Sequence, residues 1–113
     1  MGIRKSGGIE MLIVTTEYVT GREIETIGLV QGNVVRSKNI GRDIAAGLKG
    51  LVGGELAGYT EMLTEAREIA LQRMITQAQA SGADAVVGLK FASSTIMDGA
   101  AEILAYGTAV RFK

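Results

Sequence analysis

A chain of 113 residues fits a single domain, and at that length folding buries only roughly two-thirds of the unfolded chain's surface. Twelve basic residues balance twelve acidic ones, and two Phe and three Tyr stand without any Trp, which argues against a basic, base-stacking nucleic-acid surface. The absence of Cys and His removes disulfides, thiol redox chemistry, imidazole acid–base catalysis and nearly all zinc or copper sites. Residues 1–8 hold Arg4 and Lys5 but no apolar run, so they predict a flexible N-terminal segment, with no signal peptide and no membrane span. The default compartment is then the cytoplasm, and residues 9–113 are expected to form one oligomerising α/β domain.

Residues 10–14, Glu-Met-Leu-Ile-Val, read as a first strand. A polar corner and a tight turn at Gly21-Arg22 lead into residues 23–37, an imperfectly alternating run close to the upper length of a strand. Ile24, Thr26, Gly28, Val30, Gly32 and Val34 share one face, and Ile27, Leu29 and Val35 lie among the others. Gly28 and Gly32 predict a bend, a bulge or close backbone approach, so that this strand serves its own sheet and reaches a neighbouring subunit. Ser37 or Asn39 can cap a following helix, with Ile40, Ile44, Ala45, Leu48, Leu51 and Val52 at helical spacing until Gly53-Gly54. Residues 55–59 form a linker anchored by Leu56 and Tyr59.

The organising stretch follows. Thr60 can cap a helix, and Met62, Leu63, Ala66, Ile69, Ala70, Met74 and Ala78 recur every three or four residues. They predict an apolar stripe on a helix of about 20 residues. Ser81-Gly82 stops it, and residues 85–91 read as a strand apolar on both faces. Asp98-Gly99 is a hairpin turn signal, so residues 84–96 and 100–112 are expected to pair. The expected fold class is α+β: a small two-layer subunit, mainly antiparallel sheet with two helices. So many apolar residues on both strand faces exceed what one subunit hides, which predicts a homo-oligomer. Gly28, Gly32, Val30, Tyr59 and Tyr106 are the residues assigned to assembly.

Three constellations could carry chemistry. Arg36, Lys38, Gly41 and Arg42 surround the start of the residue 40–52 helix, where backbone N–H groups could hold a phosphate or carboxylate; Asp43 can fill the same electrostatic role. Glu55, Glu61, Glu65 and Glu68 could coordinate a hard divalent ion, or simply form the solvated face opposite the apolar stripe. No catalytic residue is marked: the serines have no histidine to activate them, and only a lysine among Lys38, Lys49 and Lys90 could stand in. Lys90 in its apolar strand reads chiefly as an edge or snorkelling lysine. No cofactor is indicated.

Several motifs in order resemble one family. They are Gly28-Leu29-Val30-Gln31-Gly32, Ser37-Lys38-Asn39-Ile40-Gly41-Arg42-Asp43-Ile44, Gly53-Gly54-Glu55-Leu56 followed by Tyr59-Thr60, Glu65-Ala66-Arg67, Gly82-Ala83-Asp84-Ala85-Val86-Val87-Gly88 and Tyr106-Gly107-Thr108-Ala109-Val110. From Met11 to Val110 the chain resembles the YbjQ-type family of small uncharacterised proteins, which carries the label "putative heavy-metal-binding". The resemblance implies an α/β subunit assembling into a ring, a pentamer, with short extra strands aiding assembly. It implies no defined ligand set. The functional expectation is a non-enzymatic homo-oligomer binding a small ligand or metal, with no membrane or nucleic-acid partner. The alternative is a carboxylate- or lysine-based enzyme acting in a subunit-interface cleft.

Overall fold

The computed structural model describes residues 3–6, 9–37 and 57–113. Its architecture turns on how closely one helix lies against one long strand. Helix α1 (Ala57–Ala80) is rich in Ala, Leu, Met, Glu, Gln and Arg, residues that lose little on entering a helix. Its Ala66, Ala70, Leu71, Met74, Ile75 and Ala78 point into the core. Five strands form the sheet: β1 (Ile3–Ser6), β2 (Ile9–Ile13), β3 (Ile24–Ser37), β4 (Ala85–Met97) and β5 (Ala100–Phe112). Their spatial order is β1-β2-β4-β5-β3. The sheet side of the core comes from Val30 and Val34 on β3, Ile103, Ala105 and Ala109 on β5, Val86 on β4, and Met11 and Ile13 on β2.

Gly32 makes that packing possible. A Cβ built there would collide with the backbone nitrogen of Met74 and the carbonyl oxygen of Ala70, and would stand 2.7 Å from Cβ of Arg73. Helix backbone cannot give way as a flexible side chain can, so only glycine fits. The helix ends as its sequence predicts. Gly82 takes φ 80°, Ala83 N–H donates to the Ala78 carbonyl (3.1 Å) and Gly82 N–H to Gln79 (3.0 Å), a Schellman closure that satisfies the last carbonyls.

A smaller cluster occupies the opposite sheet face. Ala85, Val87 and Val110 are buried there against Leu12, Val14, Val19, Ile24 and Phe112. Residues 14–23 pass over this end of the sheet, held by Val14 N–H on Val86 O (2.9 Å), Gly88 N–H on Thr16 O (2.8 Å) and Leu89 N–H on Val14 O (3.0 Å). The expected turn closes with Arg22 N–H on Val19 O at 3.1 Å and Gly21 at φ 77°. Arg22 then lies 4.0 Å over the Phe112 ring, a cation–π contact that pins the turn to the last strand.

The hairpin of β4 and β5 around Asp98-Gly99 is as the sequence predicts. So is the interruption at Gly28, where the β3–β5 register shifts between Thr26 and Gly28. Other expectations are corrected. The sheet is mixed: β2 runs parallel to β4, while β1–β2, β4–β5 and β3–β5 are antiparallel. Among the described residues one helix, not two, packs on it; the second, expected at residues 40–52, lies outside them. The structure is a single subunit and gives no support to a pentameric ring. Helix α1 begins at Ala57, so Thr60 and Glu61 sit inside it instead of at its cap and first turn. Residues 3–6 pair with β2 from Ile3–Leu12 to Ser6–Ile9.

Candidate functional site

One residue from each of two sequence-derived ligand sets is paired with the other. Arg36, near the end of β3, donates through Nη2 to Oε2 of Glu65 on α1 at 2.9 Å. A candidate anion-binding cation is thereby paired with a candidate metal-binding carboxylate. Arg36, Ser37, Gly58, Glu61, Met62 and Glu65 line a hollow of about 110 Å³. Glu61, Glu65 and Glu68 are all exposed on the helix. Among the described residues no three His, Cys, Asp or Glu side chains converge as a metal site would require. Lys38, Gly41, Arg42 and Glu55 lie outside the described residues. Lys90 is exposed, with its Nζ 3.9 Å from Glu17, which is the edge-lysine reading. No polar or charged residue among those described is buried.

The assembly residues divide in two. Val30 and Gly32 are buried under α1 within the subunit. Tyr59 on the first turn of α1 is half-buried. Tyr106 belongs to a different surface. On β5 it pairs with Gln31 of β3 and Lys90 of β4, on the sheet face turned away from α1. Leu104 and Thr108 share that face, with Asn33, Leu29 and Val35 beside them on β3 and Ala92 on β4. Leu29 is 68% exposed and Val35 54%, while Leu104, Tyr106 and Thr108 are half-buried. Asn33 Nδ2 donates to Glu102 Oε2 at 3.0 Å across the same face. Beyond the cluster under residues 14–23, no described element covers it. The sequence carried a signal for this: Leu29 and Val35 stand in β3 opposite the Val30, Gly32 and Val34 face, where an ordinary exposed sheet face would be polar.

The strand edges differ as sharply. On β3, Gln31 N–H donates to Oε1 of Gln77 (2.7 Å) and the Asn33 carbonyl accepts from Nη1 of Arg73 (2.7 Å), both from α1. These side chains occupy edge groups that would otherwise template another strand. On β4, parallel pairing with β2 reaches only Ala85 and Val86. From Lys90 to Met97 the strand pairs with β5 alone among the described elements, and all eight residues are exposed.

Fold and surface together define a small α+β subunit in which, among the described residues, one helix packs on a mixed sheet and part of the second sheet face has no cover. The chain belongs to the family described as "Putative heavy-metal-binding", whose family model, YbjQ, matches residues 11–113. It is 64% identical over 104 residues to a UPF0145 protein of Thermotoga maritima, covering 91% of this chain and 98% of that one. A relative from Photobacterium profundum, also a UPF0145 protein, is 66% identical over 102 residues, covering 89% and 99%. Among solved structures, a protein of unknown function from the DUF74 family of Pediococcus pentosaceus matches with a TM-score of 0.63 at 17% identity, covering 91% of this chain and 98% of that one. That last likeness concerns the fold.

Proposed function

We propose that this chain is a non-enzymatic subunit of a homo-oligomer, in which the bare sheet face is buried against a second copy and the assembled surface receives a ligand. The observation that carries the reading is the exposure of Leu29 and Val35 around half-buried Leu104 and Tyr106 on a face with no described cover. Large apolar side chains exposed on an uncovered sheet face fit an interaction surface. A chain of formal net charge zero also meets its own copies without overall repulsion. Native mass spectrometry of untagged protein tests it. A mass above that of one 11.8 kDa chain is expected, and a monomer at every concentration would refute the reading.

The family description favours metal as the ligand. Glu61 lies beside the Arg36–Glu65 pair in one hollow and could offer oxygen ligands there, and carboxylates suit hard ions better than soft heavy metals. Calorimetric titration of metal-free protein with divalent ions decides this. Heat lost in Glu61→Gln supports the metal reading, and no heat with any ion rejects it.

A further inference from the structure

We propose that the groove between α1 and β4 binds a free α-amino acid with an apolar side chain. Its carboxylate lies on Arg67 and Thr64, its ammonium on Glu68, and its side chain against Leu71 and Phe91. The site lies within one subunit and depends on neither the self-association nor the metal reading proposed above.

The groove follows from where the helix lies. Helix α1 packs on β3 and β5 and scarcely reaches β4. Residues opposite one another in an antiparallel pair project to the same sheet face. Phe91 is opposite Ala105, which is buried beneath α1, so the Phe91 side chain stands on the helix side of the sheet. It is 44% exposed there. Thr64, Arg67, Glu68 and Leu71 succeed one another at helical spacings of three and four, so they share one flank of α1. With Phe91 they line a hollow of about 180 Å³. An apolar cavity of about 150 Å³ admits benzene, so this hollow has room for a branched aliphatic side chain.

The lining sorts by chemistry. Leu71, a core residue, and Phe91 supply the apolar part. Arg67 is exposed, and its Nη2 donates to Thr64 Oγ1 at 3.2 Å. That bond holds the guanidinium along the helix flank and leaves it further N–H groups, whose fork matches a carboxylate. Thr64 accepts from Arg67, so its own proton can be given to the same carboxylate. Glu68 makes an interaction of its own, and a carboxylate has acceptor sites enough to take an ammonium as well. A cation and an anion on consecutive residues beside an apolar hollow complement a zwitterion. A simple carboxylic acid would meet Glu68 as a like charge, and a simple amine would meet Arg67 in the same way. Both charged side chains are exposed, so the ligand's ionic ends keep water while its side chain leaves it.

Amide NMR spectra of the wild-type protein, titrated with L-leucine and three of its fragments, test the proposal. The fragments are glycine, isocaproate (leucine without its amine) and isoamylamine (leucine without its carboxylate). Leucine should shift the amides of Thr64, Arg67, Glu68 and Phe91 to saturation, and each fragment should bind at least about tenfold more weakly. Arg67→Gln and Glu68→Gln should each weaken leucine by at least about tenfold. Both positions face solvent, so the circular dichroism spectra of the variants should match wild type. The absence of a saturable shift with leucine would overturn the site. So would wild-type affinity in a folded Arg67→Gln variant. Isocaproate binding as tightly as leucine would overturn the assignment of the ammonium to Glu68, and with it the amino acid as ligand.

Discussion

Gly32 shows how much one missing carbon can decide. The sequence marks it as a place of close approach, and the approach is made by α1 of the same subunit. Gly32→Ala should therefore cost about 1–3 kcal/mol through overpacking against helix backbone. For a domain of this size that is a fall of about 5–15 °C in Tm. A thermal scan at fixed protein concentration checks it, and an unchanged Tm would mean that the helix does not lie so close. The Arg36–Glu65 pair works at the opposite extreme. Both side chains are partly exposed, at 37% and 63%, so Arg36→Gln should change stability by less than about 1 kcal/mol. Denaturant unfolding of the two proteins measures the difference.

Among the described elements, β3 and β4 are both long strands with one side that pairs with no other strand over much of its length, yet the two are treated differently. Gln77 and Arg73 extend from α1 to occupy the β3 edge at Gln31 and Asn33. Replacing both by alanine should leave the fold intact and expose that edge. Light scattering should then report faster aggregation of the double variant than of wild type; an equal rate would show that the caps have no protective role.

What the sequence allowed to be read follows from which signals are local. The helix stripe, the Gly82 stop and the Asp98-Gly99 hairpin depend on neighbours within a few residues, and all appear in the structure. Parallel pairing of β2 with β4 joins segments more than seventy residues apart, and no local pattern encodes it. The same holds for Gln77 and Arg73, which read as ordinary polar helix positions until β3 is placed beneath them. The candidate carboxylates were legible as a helical face. Whether they converge needs a third dimension: among the described residues no three such groups come together, and Glu65 accepts a hydrogen bond from Arg36.

At the scale of the whole molecule, among the described residues, helix α1 covers one sheet face and residues 14–23 cover part of the other. The remainder presents Leu29 and Val35 beside Leu104 and Tyr106. Burying such side chains stabilises by about 25 cal/mol per Å² of apolar surface removed from water, so a second copy gains by covering them. Their replacement by lysine should be nearly neutral for the isolated subunit, because both positions already face solvent there. The most direct measurement is sedimentation velocity of wild type beside the Leu29→Lys/Val35→Lys double variant, each with its circular dichroism spectrum. Wild type should be oligomeric, and the variant folded and monomeric. A folded variant that sediments as the same oligomer would contradict it, as would a wild type that remains a monomer.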